Sequence, residues 1–199
     1  MLKQPFYVEE KHNMNSFIKE NAPKEVVVLS DAVYHSYLGS YFLGQTDMIC
    51  FGGSYNAWGA LVNPKGSNIN MFLNAYTISN FSDEPFTAEG WLSSTLPGES
   101  RISRNFAAGN QAISPPSLPR VNIMSASNIT NNTPIGGVYT FTRRVEPNQT
   151  LTKHDFQGMY TIPPGSSFAL FFSSPGKEHV QSRMAFGWWE ERINHDCRY

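Results

Sequence analysis

The sequence predicts an all-β fold, an antiparallel β-sandwich or jelly-roll. β-branched and aromatic runs of strand length recur along the chain, and clusters of Gly, Pro, Asn and Ser punctuate them. Helical spacing occurs in only two places, near residues 14–20 and 31–38. Strands at that cadence without intervening helices favour antiparallel pairing, because parallel neighbours need long crossover connections.

Residues 1–24 differ from the rest. Lys3, Glu9, Glu10, Lys11, Lys19, Glu20 and Lys24 concentrate charge there, Pro23 closes the stretch, and Phe17 and Ile18 are its one strong apolar anchor. It reads as an N-terminal arm outside the core, expected to dock on a neighbouring subunit through Phe17 and Ile18. The sandwich domain is expected over 25–193 and a polar C-terminal tail over 194–199. Residues 25–29 form a β-branched run that predicts the first strand. Ser30 and Asp31 offer an N-cap, Val33, Tyr34, Tyr37 and Leu38 recur at helical spacing, and Gly39 ends the short helix.

Further strands are expected over 47–51, 57–62, 70–79, 86–92, 120–125, 138–145, 159–162, 168–172 and 180–189. The 70–79 run is apolar on both faces and should lie centrally, with something covering its second face. In the last strand Val180, Ser182, Met184, Phe186 and Trp188 share one face and Gln181, Arg183, Ala185, Gly187 and Trp189 the other, and one of the two should point inward. Residues 93–119, with Gly98, Gly109, Pro115, Pro116 and Pro119, make the longest irregular piece, and loops of that length tend to carry contacts or function.

A chain of 199 residues suffices for one buried core. Only 16% of residues are charged and the net charge is -1, so the surface must be covered largely by neutral polar groups. Such a surface lacks the charge repulsion that keeps monomers apart and is compatible with packing against copies of itself. The basic residues are scattered, and Arg143 and Arg144 point to opposite faces of a strand, so nucleic acid is not an expected partner. Neither a secretory leader nor a run long enough to cross a bilayer is present, and synthesis in the cytoplasm without membrane association is expected. Of the two cysteines, Cys50 lies in an apolar stretch and reads as a buried thiol. Cys197 lies in the polar tail, where it is expected to form an assembly contact by cross-linking subunits.

Catalytic patterns fail on residue type or spacing. The five histidines form no metal-binding spacing, no Gly-x-Ser-x-Gly elbow or phosphate-cradling loop occurs, and the acidic doublets Asp83-Glu84 and Glu190-Glu191 would face apart on a strand as solvated strand ends. The expectation is a non-enzyme with no cofactor and no metal. Trp58, Trp91 and Trp189 are candidates for stacking on a ring ligand. Trp188 and Trp189 must occupy opposite faces, so one belongs to the core and the other needs a loop, an arm or a partner to cover it.

The segments 41–46 (YFLGQT), 57–64 (AWGALVNP), 77–82 (TISNFS) and 185–191 (AFGWWEE) resemble an uncharacterised family of proteins of about this length from spore-forming bacteria, a likeness spanning residues 34–193. The resemblance implies no activity and no catalytic residues. It does imply a setting, since spore-surface proteins are made without leaders in the mother cell and then assemble on the spore. The resulting expectation is a self-assembling structural subunit of a spore-surface or other extracellular layer or filament, partnered by copies of itself. The alternative is a module that binds glycan or another surface ligand. A hydrolase using the 93–119 loop is a third class, without a named catalytic residue.

Overall fold

The computed structural model describes residues 27–130, 132–154, 156–176 and 179–193. The arm residues Phe17 and Ile18 and the tail residue Cys197 lie outside them. Residues 27–29 form no strand, contrary to expectation, and Val27 and Val28 are exposed. β-branched propensity reflects packing against neighbours, and no strand pairs with these residues. Helix α1 (Asp31–Tyr37) follows. The Ser30 hydroxyl accepts from the Val33 N–H, and Gly39 takes a positive φ just past the helix.

Thirteen strands follow among the described residues: β1 (Tyr41–Gln45), β2 (Ile49–Gly52), β3 (Tyr55–Val62), β4 (Ile69–Asn80), β5 (Phe86–Leu92), β6 (Arg101–Ser103), β7 (Phe106–Ala108), β8 (Asn122–Thr130), β9 (Val138–Val145), β10 (Thr150–Lys153), β11 (Tyr160–Ile162), β12 (Ser167–Ser173) and β13 (His179–Arg192). All pairings are antiparallel, in the order β10-β4-β13-β2-β3-β12-β5-β9. The ladder folds over at the β2–β3 connection, where only Gly52 and Tyr55 pair. One layer is then β10-β4-β13-β2 and the other β3-β12-β5-β9, two four-stranded sheets with jelly-roll connectivity. Extra strands extend each layer. β1 pairs with β13 and β7 with β1, while β8 flanks β3 and β6 flanks β8. β11 pairs with β4 beside β10.

The two layers enclose a core of alternating residues, including Phe51, Tyr76, Ile78, Phe86, Phe168, Phe172, Met184 and Trp188. Rings meet across the layers, Phe51 with Phe86 and Tyr76 with Phe168. A second apolar cluster of Trp58, Ala169 and Phe171 with Trp91 and Leu96 lies on the opposite face of the β3-β12-β5 layer. The segment 93–100 roofs it, and the Trp58 indole donates to the Pro97 carbonyl at 2.7 Å. The long irregular piece therefore contains two short strands, β6 and β7, that the sequence pattern does not disclose. β1 and β10 also escape that pattern, because glycine in one and the threonines of the other (TLTK) mask the alternation.

Candidate functional site

On the outward face of the β10-β4-β13-β1-β7 layer, Thr152, Leu43 and Ala107 are exposed, Thr77, Ala185 and Gln45 are half-buried, and Gly187 lies buried beneath Tyr41. Register places Thr152, Thr77, Ala185 and Gln45 in one cross-strand row, and Ala75, Gly187, Leu43 and Ala107 in the next. None of these eight residues is charged, and the side chains are mostly short, so the face is flat and neutral. Leu43 stands half exposed in it. A Cβ at Gly187 would displace the Tyr41 hydroxyl, which lies across it and accepts from Asn74 Nδ2 at 3.1 Å. Where β7 meets β1 the face dips into an open groove of about 620 Å³, lined by Leu43, Gln45, Phe106 and Ala185, with Arg104 as its one charged residue. A third row, Thr150, Ser79 and Arg183, introduces charge again.

At the end of this layer, α1 is latched to β13. His35 stacks on Trp189 at 5.2 Å, and Trp189 stacks in turn on Phe72 at 5.3 Å. The His35 Nδ1 lies 2.9 Å from the Ser40 hydroxyl and Nε2 lies 3.0 Å from Glu191 Oε1. Burial holds the imidazole below its usual range, opposed by the negative charges of Glu191 and Asp31. Hydroxyl, imidazole and carboxylate thus stand in line, the parts of an activated nucleophile. The chemistry does not follow from the parts: the Ser40 hydroxyl is also within 3.3 Å of the His35 carbonyl, the ring is covered by Trp189, and the 620 Å³ groove does not reach them. The array reads as a latch.

Glu190 occupies the other face of β13 and is buried rather than solvated, correcting the expectation from the acidic doublet. Its carboxylate accepts from the Arg120 and Val121 N–H groups at 3.0 and 3.1 Å and from the Trp188 indole at 3.2 Å, pinning the chain before β8 to the core. Of the three stacking candidates, Trp58 and Trp189 are each only 2% exposed and present no open ring, the first under the 93–100 segment and the second between His35 and Phe72. Trp91 is half-buried beside Tyr139 and donates to Glu89. The structure does not bring the three into one platform. Cys50 is half-buried, not buried, because it points away from the core between the inward Ile49 and Phe51.

Residues 13–195 match the family of unknown function DUF6143. The chain belongs to this family. The match covers every described strand and extends over part of the charged N-terminal stretch, so the family's sequence pattern spans the whole sandwich. No curated protein and no solved structure matches the chain. Among the described residues no cluster of three or more His, Cys, Asp or Glu is placed to hold a metal ion, and no helix is long and apolar enough to cross a membrane.

Proposed function

We propose that the protein is a non-enzymatic structural subunit that associates with copies of itself through the flat outward face of the β10-β4-β13-β1-β7 layer. The observation that supports this reading is the pair of uncharged cross-strand rows, Thr152-Thr77-Ala185-Gln45 and Ala75-Gly187-Leu43-Ala107, which expose Thr152, Leu43 and Ala107 beside a groove. A neutral, short-chained face is self-compatible: a second copy meets no like charge and desolvates few strongly hydrated groups. The groove beside Leu43 offers space for a side chain of that copy. The resemblance to proteins of spore-forming bacteria adds the setting, a spore-surface or other extracellular layer.

The test is a pair of charge insertions, Thr77→Lys and Leu43→Lys, at outward positions that are not register partners of each other. Light scattering of the unaltered protein is expected to show particles larger than one chain. The double variant should scatter as a monomer with an unchanged melting temperature. An unaltered protein that stays monomeric at high concentration, or a double variant of unchanged particle size, overturns the reading.

A further inference from the structure

On the opposite layer, an open recess of about 310 Å³ lies between the 93–100 segment and the β11–β12 turn. We infer that it is a binding site for one neutral sugar residue. Its lining divides in two: Ser93, Thr95, Ser100 and Ser166 contribute hydroxyls, while Val62 and Met124 contribute apolar surface. Among the described residues, none that lines it is charged. Hydroxyls donate and accept at once, so a wall of them suits a ligand that does the same, and an apolar floor suits the C–H face of a sugar ring. Phosphate, carboxylate and ammonium ligands find no counter-charge there and would lose hydration on entry. A wholly apolar ligand would strip water from the hydroxyls without replacing their hydrogen bonds. The volume lies at the small end of ligand sites, enough for a single ring rather than a long chain.

The site is also built rather than incidental. Ser93 holds a positive φ and its N–H donates to the Ser167 carbonyl at 2.9 Å, while Thr95 exchanges two backbone hydrogen bonds with Ile135. Trp58 is fixed by its bond to Pro97. These ties come from three separate parts of the chain and hold the wall in place before a ligand arrives, which lowers the ordering cost of binding. The site sits on the layer opposite the proposed assembly face, so the two readings fail independently.

The experiment follows the Trp58 indole N–H and the backbone amides of 93–96 and 165–167 by NMR while glucose, galactose, mannose or N-acetylglucosamine is added to the full chain. At least one sugar should give saturable shifts confined to these residues, with a millimolar Kd, and glucuronate should bind at least tenfold more weakly than the best of them. Ser166→Phe and, separately, Ser100→Phe fill the recess from two segments; either one that keeps the parent spectrum elsewhere should lose the shifts. The inference is overturned if no neutral sugar gives saturable shifts, if glucuronate binds as well as the best sugar, or if the shifts survive in a folded filling variant.

Discussion

At the scale of single residues, three of the four tryptophans solve the same problem in the same way. An indole N–H on a strand needs a partner, and a glutamate two residues away lies on the same face. Trp188 donates to Glu190, Trp189 to Glu191 and Trp91 to Glu89. That spacing is visible in the sequence, yet the acidic doublet reads there as solvated because strand alternation alone says nothing of which face is roofed. Glu190 shows the difference, since it also satisfies the Arg120 and Val121 N–H groups inside the protein. Replacing it with alanine leaves these donors buried without a partner, and each such loss costs about 1–3 kcal/mol. Glu190→Ala is therefore expected to destabilise the fold by roughly 3 kcal/mol in urea unfolding. Glu190→Gln, which keeps an acceptor, should lose less than half as much.

At the scale of elements, the helix and the longer strands were legible because their residues carry chemistry: a serine cap and a glycine stop for α1, alternation for β5 and the first half of β13, and an unbroken apolar run for β12. The β1, β6, β7 and β10 segments were not, since they are short and owe their existence to the strands they pair with. The covered second tryptophan of β13 was legible as a requirement, while its cover, α1 through His35, was set by tertiary contact. That latch predicts a pH response. Its imidazole titrates below the ordinary 6.5 in the folded protein because burial disfavours the charged form. The unfolded chain then binds more protons than the native one around that pH, so the latch contributes fully above about 6.5 and weakens as the pH falls through 6.5 toward the lower native value. The His35 ring resonances should titrate below 6.5. The loss of thermal stability between neutral and mildly acid pH should be smaller in His35→Phe. An equal loss in the variant would assign the pH response to other groups.

For the whole molecule, cadence and turn residues were enough to reach an antiparallel sandwich, but not its pairing. Nothing local in the chain says that β13 lies between β4 and β2, or that β12 lies between β3 and β5. Those choices are made where inward residues of distant strands fill one core, as when Tyr76 of β4 meets Phe168 of β12. The arrangement ranks the strands by protection. β3, β4, β5, β12 and β13 are paired on both sides, whereas β6, β7, β9, β10 and β11 lie at the margins. Amide hydrogen exchange should accordingly be slower in these five strands than in the marginal ones. Uniform exchange across all thirteen strands, or early loss of β13, would contradict the assigned order.

The long ladder between β4 and β13 also has a consequence in time. Asn80 pairs with Ser182 and Ile69 with Arg192, so each bond closes over about a hundred residues of chain or more. A ribosome adds about 5–20 residues per second. β4, with Met71, Leu73 and Ile78 all destined for the core, is thus made roughly 5–20 seconds before its partner strand exists. Throughout that interval its apolar residues lack the strand against which they will pack. The nascent chain is most exposed to misassociation then, and slower translation of the 80–180 region would lengthen the exposure.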